Sequence, residues 1–259
     1  MNKCINKKQK RDKLIILIYQ VILFLLFIIT WELFTKIGII DKFLFSSPSE
    51  IIKLLYEYIK SMEIFKHIWI SLVEVLLGVV IGTVGGILIA IILWSSDKLT
   101  KILDPFLVIL NALPKTALAP IMIIWAGTGI TGIVVVAISI LLVITILSTY
   151  NYFKNIEEDK IKMMKSFNAS KWQIFTKLVF PSNIVNIVSV IKINIGMSWV
   201  GVIVGEFLVS RAGIGYLIMY GGQVFKLDLV MMGTLILSIL AFLMWKIVDI
   251  IEKRLLSKM

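Results

Sequence analysis

Residues 116–153 form a run of 38 without a single Asp, Glu, Lys or Arg, and no small soluble core absorbs so long an apolar stretch. As one helix it would measure about 57 Å, nearly twice the roughly 30 Å hydrocarbon core of a bilayer. The run must fold back, and Gly127-Thr128-Gly129 supplies the turn. Other apolar runs flank it. Residues 14–31 are uncharged for 18 positions; further runs cover 75–96, the stretch from Pro181 to near Glu206, and 229–245. Hydrophobic residues make up 59% of the 259 positions, against roughly 45–50% in an ordinary soluble domain. The pattern predicts an all-α integral membrane protein with six transmembrane helices. A third span opens at Asp104-Pro105 and is interrupted by Pro114, Lys115 and Pro120.

Charge sets the expected orientation. Six basic residues (Lys3, Lys7, Lys8, Lys10, Arg11, Lys13) precede the first span, and 17 fall on that side of the membrane against eight on the other. Basic residues collect on the cytoplasmic side, so residues 1–13 read as a cytoplasmic N-terminus, 14–259 as one membrane domain, and both termini as cytoplasmic in the cell membrane. The net charge of +11 is thereby used, and no aromatic-studded basic face points to nucleic acid. After Pro48, Ile51, Leu55, Tyr58 and Met62 oppose Lys53, Glu57 and Lys60, an amphipathic helix expected on the outer surface. Gly78, Gly82 and Gly86 recur every four residues and invite a close helix neighbour.

Catalytic chemistry has little to draw on. Cys4 is the only cysteine and His67 the only histidine, so thiolate metal sites and Ser/His/Asp catalysis are not expected. The glycines from 127 to 132 lack the Gly-Lys-Ser/Thr of a phosphate-binding loop. The sequence therefore predicts no enzyme, no cofactor and no metal.

The largest cytoplasmic loop, 154–181, is more informative. Ile161, Met164 and Phe167 form an apolar stripe at helical spacing; Asn168 follows where a residue must enter the left-handed region. Ser170 stands three positions before Gln173 as a capping box, and Trp172, Phe175 and Val179 give a second stripe ending at Pro181. The expectation is helix, turn, helix, either as a docking knob or packed on its own bundle. Farther on, Lys192 is the one charge deep in an apolar helix. Ser189 lies on its face, and Asn194, Ser198, Gly201 and Gly205 form a small polar stripe. Two readings stand: a translocation path in which Lys192 draws anions, or a packing seam with Lys192 snorkelling to the cytoplasmic surface.

Several short pieces in fixed order carry a resemblance: Trp31-Glu32, Ser47-Pro48-Ser49, Ser71-Leu72, Leu113-Pro114, Ala119-Pro120, Asn168-Ala169-Ser170-Lys171-Trp172, Phe180-Pro181, Trp199-Val200-Gly201-Val202-Ile203, Gly205-Glu206 and Gly213-Ile214-Gly215-Tyr216. From about Trp31 onward the chain resembles the binding-protein-dependent ABC importer permeases, particularly their nitrate, sulfonate and taurine branch. The resemblance implies that the 154–181 loop couples to an ATPase, through Ile161, Lys162, Met163, Met164, Phe167, Asn168, Trp172, Phe175 and Pro181. Aligned on Pro181, the family's Glu-Ala-Ala opening falls on Lys162, Met163 and Met164, which reverses the first charge. It also implies two copies of a cytoplasmic ATP-binding subunit, an extracytoplasmic substrate-binding protein and a second permease copy, all around a lipid-embedded chain. The implied cargo is a small solute, an anion such as a sulfonate, taurine or nitrate, and a vitamin precursor would also suit the branch. The rival is a self-sufficient secondary transporter, which would need inverted repeats and several intramembrane carboxylates; neither is evident in the sequence.

Overall fold

A computed structural model of the chain describes residues 2–257, and every regular element among them is helical. They divide into two compact units, Met1–Glu63 with Tyr220–Met232 and Ile64–Met219 with Gly233–Met259.

In the first unit, α1 (Asn2–Ile37) contains a span over Leu14–Ile37 whose apolar window holds no buried residue, as a lipid-facing helix requires. The short α2 (Lys42–Phe45) is capped by Asp41, and α3 (Pro48–Lys60) starts with Ser47 at its N-cap and Pro48 in its first turn. The Glu32 side chain reaches α3, accepting from Ser49 N at 3.1 Å and Ser49 Oγ at 2.9 Å. This explains why Trp31-Glu32 and Ser47-Pro48-Ser49 occur together. Ile51 is buried and Leu55 and Tyr58 are half-buried, as the amphipathic reading expects; Met62 instead occupies a left-handed turn and is exposed.

The second unit opens with α4 (Glu63–Ser95), which starts well before the expected Val75 because the helix carries its polar first turns along. Then come α5 (Asp97–Ala112), α6 (Lys115–Ala126), α7 (Ile130–Lys154), α8 (Glu158–Ser166) and α9 (Lys171–Ile174). A π-turn over Phe175–Val179, α10 (Phe180–Ser182) and α11 (Ile184–Val209) follow. α12 (Ile214–Gln223) begins in this unit, and the larger part of α13 (Leu227–Leu256) belongs to it.

Two expectations are corrected. The third segment begins at Asp97 rather than Asp104, because the Ser96 side chain accepts from Leu99 N and caps the helix there. The interruption expected at Pro114 is present as a 99° bend between α5 and α6, whereas Pro120, expected to interrupt as well, lies inside α6. Leu113 is extended, as the ring of the following Pro114 demands. Among the described residues five helices are long and apolar enough to cross a membrane; the bent pair makes the sixth when taken as one span. The turn at Gly127 and Gly129 is present, both with positive φ.

The core of this unit is α7 packed between α4 and α11. Val75, Val79, Ile133, Ala137, Ile195, Trp199 and Val202 form one buried cluster. The glycine pattern is what lets the helices approach: a Cβ on Gly201 would overlap the Ala137 backbone, and one on Gly86 would lie 2.6 Å from Thr145 Cβ.

Candidate functional site

The loop after α7 folds as the expected hairpin. Asn168 takes φ 55° at the end of α8, and Ala169 N donates back to Met164 O at 3.2 Å, a left-handed helix end. The capping box is complete: Gln173 N donates to Ser170 Oγ at 3.2 Å, and Ser170 N donates to Gln173 Oε1 at 2.8 Å.

Its apolar residues separate into two sets. Phe175 is 3% exposed and meets the rings of Trp94 at 5.0 Å, Phe153 at 5.3 Å, Trp172 at 5.6 Å and Phe180 at 6.0 Å. Ile174 and Val179 are buried with it, Met164 packs against the same cluster, and Ile161 lines the neighbouring crevice. Lys171 fastens the hairpin to the end of α4 through Ser95 O at 2.8 Å and lies over the Trp94 ring. By contrast, Met163, Phe167 and Trp172 are 53%, 77% and 65% exposed. Phe175 thus anchors the hairpin to its own bundle instead of offering a docking face. Lys162 is exposed and meets Asp159 at 3.3 Å and Glu158 at 3.6 Å on its own helix; Pro181 sits in the first turn of α10.

The polar stripe of α11 points inward. Asn194 Nδ2 donates to Thr83 Oγ1 at 2.8 Å and Thr145 Oγ1 at 2.9 Å, and Ser198 Oγ donates to Val75 O at 3.0 Å. Gly201 and Gly205 lie against Ala137 and Ile133. These four residues are buried between α4, α7 and α11, so the packing reading describes them. Ile193, Gly196 and Val200 form the exposed side of the helix.

Ser189 and Lys192 are half-buried and engage α13. The Lys192 ammonium pairs with Glu252 Oε2 and lies 3.8 Å from Asp249, while Ser189 Oγ donates to Glu252 Oε1 at 2.5 Å. Lys192 is therefore matched by two carboxylates, a network that sequence spacing did not reveal because the partners lie some 60 positions away.

At the other end of α11, a second network gathers around Glu206, 1% exposed. Its Oε2 accepts from Gly215 N at 2.6 Å and Tyr216 N at 3.2 Å, the first free donors of α12, and its Oε1 accepts from Ser71 Oγ at 2.5 Å. Ser71 Oγ also accepts from Ile214 N at 2.8 Å, and Gly213 N donates to His67 Nδ1 at 2.9 Å. The Gly-Ile-Gly-Tyr string is thereby explained. Gly213 has φ 123°, and a Cβ there would overlap the Glu206 carboxyl; one on Gly215 would lie 2.9 Å from it. Glu74, also 1% exposed, directs its carboxyl at that of Glu206. The sequence reading missed this pair and found no intramembrane carboxylates. The signal was present: Glu74 directly precedes an apolar run, and Glu206 lies four residues from the end of its helix.

The family described as "Binding-protein-dependent transport system inner membrane component" matches residues 82–257. A probable ABC transporter permease protein of Haemophilus influenzae is 26% identical over 85% of this chain and 89% of its own length. The putative aliphatic sulfonates transport permease of Bacillus subtilis is 27% identical over 88% and 82%. The taurine transport system permease of Escherichia coli is 24% identical over 70% and 66%. Among solved structures, an inward-facing MetNI methionine ABC transporter chain aligns over 74% of this chain and 96% of its own, at 17% identity and a TM-score of 0.65. That likeness is one of fold.

Proposed function

Because the chain belongs to the family of binding-protein-dependent transport system inner membrane components, we propose that it forms the translocation path of an ATP-driven importer for a small anionic or zwitterionic solute such as a sulfonate, taurine or nitrate. Membership makes it a multi-pass inner-membrane permease. The substrate class draws on the relatives named for aliphatic sulfonates, taurine and nitrate, among which others are named for formylaminopyrimidine and riboflavin.

The observation that carries the mechanism is the hairpin, anchored by Phe175 and presenting Met163, Phe167 and Trp172 outward. On our reading it lies in the cytoplasm, with both termini, and docks into one of two ATP-binding subunits. A second copy of the permease faces the exposed side of α11 at Ile193, Gly196 and Val200, and the path runs between the copies past Ser189 and Lys192. Closure of the ATPases on ATP drives the hairpins and shifts the bundles from inward- to outward-facing states by differential binding. A substrate-binding protein delivers cargo to the Glu206 end. The buried carboxyls favour this over the secondary-transporter alternative, since Glu206 accepts three structural hydrogen bonds and Glu252 two.

The test is reconstitution in vesicles with the ATPase and binding protein encoded beside this chain. ATP-dependent uptake of a sulfonate, taurine or nitrate that requires all three components is the expected result. Uptake driven by an ion gradient without ATP, or nucleotide hydrolysis by the isolated permease, refutes it.

A further inference from the structure

Between the hairpin and the ends of α4 and α7, the second unit holds a crevice of about 240 Å³. Trp94, Tyr150 and Lys154 line its bundle side, Lys165 and Lys171 its hairpin side, and Asp97 is the one acidic residue that reaches it among those described. Three ammonium groups from three helices, α7, α8 and α9, thus border one hollow against a single carboxylate, a net charge of +2. None of the three lysines is in an ion pair among the described residues, since the loop's own acids are engaged elsewhere: Glu157 with Lys160, and Glu158 and Asp159 with Lys162. Asp97 belongs to the first turn of α5, where the helix dipole favours a carboxylate. Two of the lysines are also held in place. Lys171 donates to Ser95 O at 2.8 Å and stands 5.8 Å from the centre of the Trp94 ring, and Lys154 stands 6.0 Å from that of Tyr150. Depth narrows the choice of ligand. α4 and α7 are both long apolar spans, and Trp94 and Tyr150 occupy their last turns, the headgroup level at which such rings collect. The volume falls below the roughly 300–1,000 Å³ of sites for drug-sized ligands, too small for a whole nucleotide but sufficient for one phosphate group.

We propose that this crevice receives the phosphate of an anionic phospholipid from the cytoplasmic leaflet. Basic pockets between spanning helices on that side suit anionic headgroups, and lysines serve phosphate as point charges. The headgroup bridges Lys154 on the bundle side and Lys165 on the hairpin side, with Lys171 as the third donor. A bound lipid thus ties the hairpin to its bundle, and the composition of the membrane tunes the coupling element. The inference rests on the permease reading, which places the hairpin in the cytoplasm; it concerns a lipid and leaves the cargo aside.

The test uses the permease–ATPase complex in neutral detergent, with phosphatidylglycerol and phosphatidylcholine titrated in and the bound lipid counted by native mass spectrometry. Phosphatidylcholine carries the same phosphate without the net charge, so phosphatidylglycerol should bind at least about tenfold more tightly. Lys154→Gln with Lys165→Gln should raise the phosphatidylglycerol Kd by about thirtyfold, at ~1 kcal/mol for each lysine. Lys160→Gln with Lys177→Gln removes the same charge from the loop outside the crevice and should leave that Kd unchanged; all four positions are exposed. Inorganic phosphate at equal concentration should not displace the lipid. Co-purification with the ATPase reports assembly of each variant, and titration of the permease chain alone reads the same Kd without it. Equal binding of the two lipids, equal loss in both double variants, or displacement by inorganic phosphate overturns the proposal. So does a crevice variant that loses the ATPase and keeps the lipid, which would make the crevice part of the protein interface. Uptake by the full importer is followed in parallel. ATP-driven uptake by a complex without lipid preference refutes the crevice alone, whereas uptake that needs no ATP beside an intact preference refutes the permease reading.

Discussion

Two phenylalanines eight positions apart in the hairpin should respond to truncation in opposite ways. Phe175 is 3% exposed and lies at the centre of four aromatic rings, whereas Phe167 is 77% exposed. Phe175→Ala removes a buried ring and leaves a void between Trp94, Phe153 and Phe180, a change that costs about 3–5 kcal/mol in well-packed cores. Phe167→Ala removes a ring already in solvent and should alter the isolated permease by less than about 0.5 kcal/mol. If Phe167 enters an ATPase groove, its loss should instead weaken the complex by about 1.5–3 kcal/mol, the value of burying one large apolar side chain. Thermal unfolding of the permease in detergent reads the first quantity, and titration with the purified ATPase reads the second. Phe175→Ala should lower the melting temperature; Phe167→Ala should leave it in place while raising the Kd. Destabilisation by Phe167→Ala as large as that by Phe175→Ala, or ATPase affinity untouched by Phe167→Ala, would refute the division of the hairpin into anchor and docking face.

Lys162→Glu should keep the permease within about 0.5 kcal/mol of its stability, because Lys162 is exposed and its acidic partners lie in solvent on the same short helix; reduced co-purification of the cognate ATPase would show that the partner's surface is matched to the lysine. Gly201→Val should prevent recovery of folded protein, since its Cβ meets the Ala137 backbone, whereas Gly196→Ala, with open space around it, should melt no lower than the parent. Lys192→Met should lower the melting temperature by stranding Glu252, while Asp249 keeps Lys253 at 2.7 Å and Lys246 at 3.7 Å, and Lys192→Met with Glu252→Met should recover part of the loss; additive losses would remove the pair from the account. A cysteine at Lys60 should label from outside intact cells and a reporter after Lys258 should be cytoplasmic, and the reverse pattern would invert the proposed topology.

What sequence could reveal depended on how local the cause was. The left-handed turn at Asn168, the Ser170–Gln173 capping box and the break at Gly127 and Gly129 are made by neighbours in the chain, and each was legible. So was the membrane-spanning length of residues 14–31. Interactions between distant positions were not. The stripe from Asn194 to Gly205 looks the same whether it faces a water-filled path or an adjacent helix, because small and polar residues serve both purposes. Only the positions of Thr83, Thr145 and Ala137 decide it. Glu206 was noticed as part of a motif without a reason, since the carboxyl and the N–H groups it accepts from come together only when α12 folds back on α11.

The placement of these networks limits how the two ends can communicate. The hairpin follows the last residue of α7 and precedes α11, while the Gly127–Gly129 turn and the Glu206 network lie at their opposite ends, so α7, with 25 residues, separates the two regions by about 37 Å. Along that length α4, α7 and α11 touch backbone to backbone at glycines and are joined by the Asn194 hydrogen bonds. Helices packed this closely do not bend independently, because cores at this density are stiff. Under the coupling proposed above, a push at the hairpin would emerge as a rigid displacement at the other end, absorbed where the backbone can rotate. The positive-φ glycines Gly127, Gly129 and Gly213 are the positions there that can do so. Of the three, Gly213 alone is bound on both sides, through its own N–H to His67 and through the adjoining N–H groups of Ile214 and Gly215 to Ser71 and Glu206. Under the coupling proposed above, the hydrogen bonds accepted by His67, Ser71 and Glu206 are what a motion arriving from the hairpin would have to loosen.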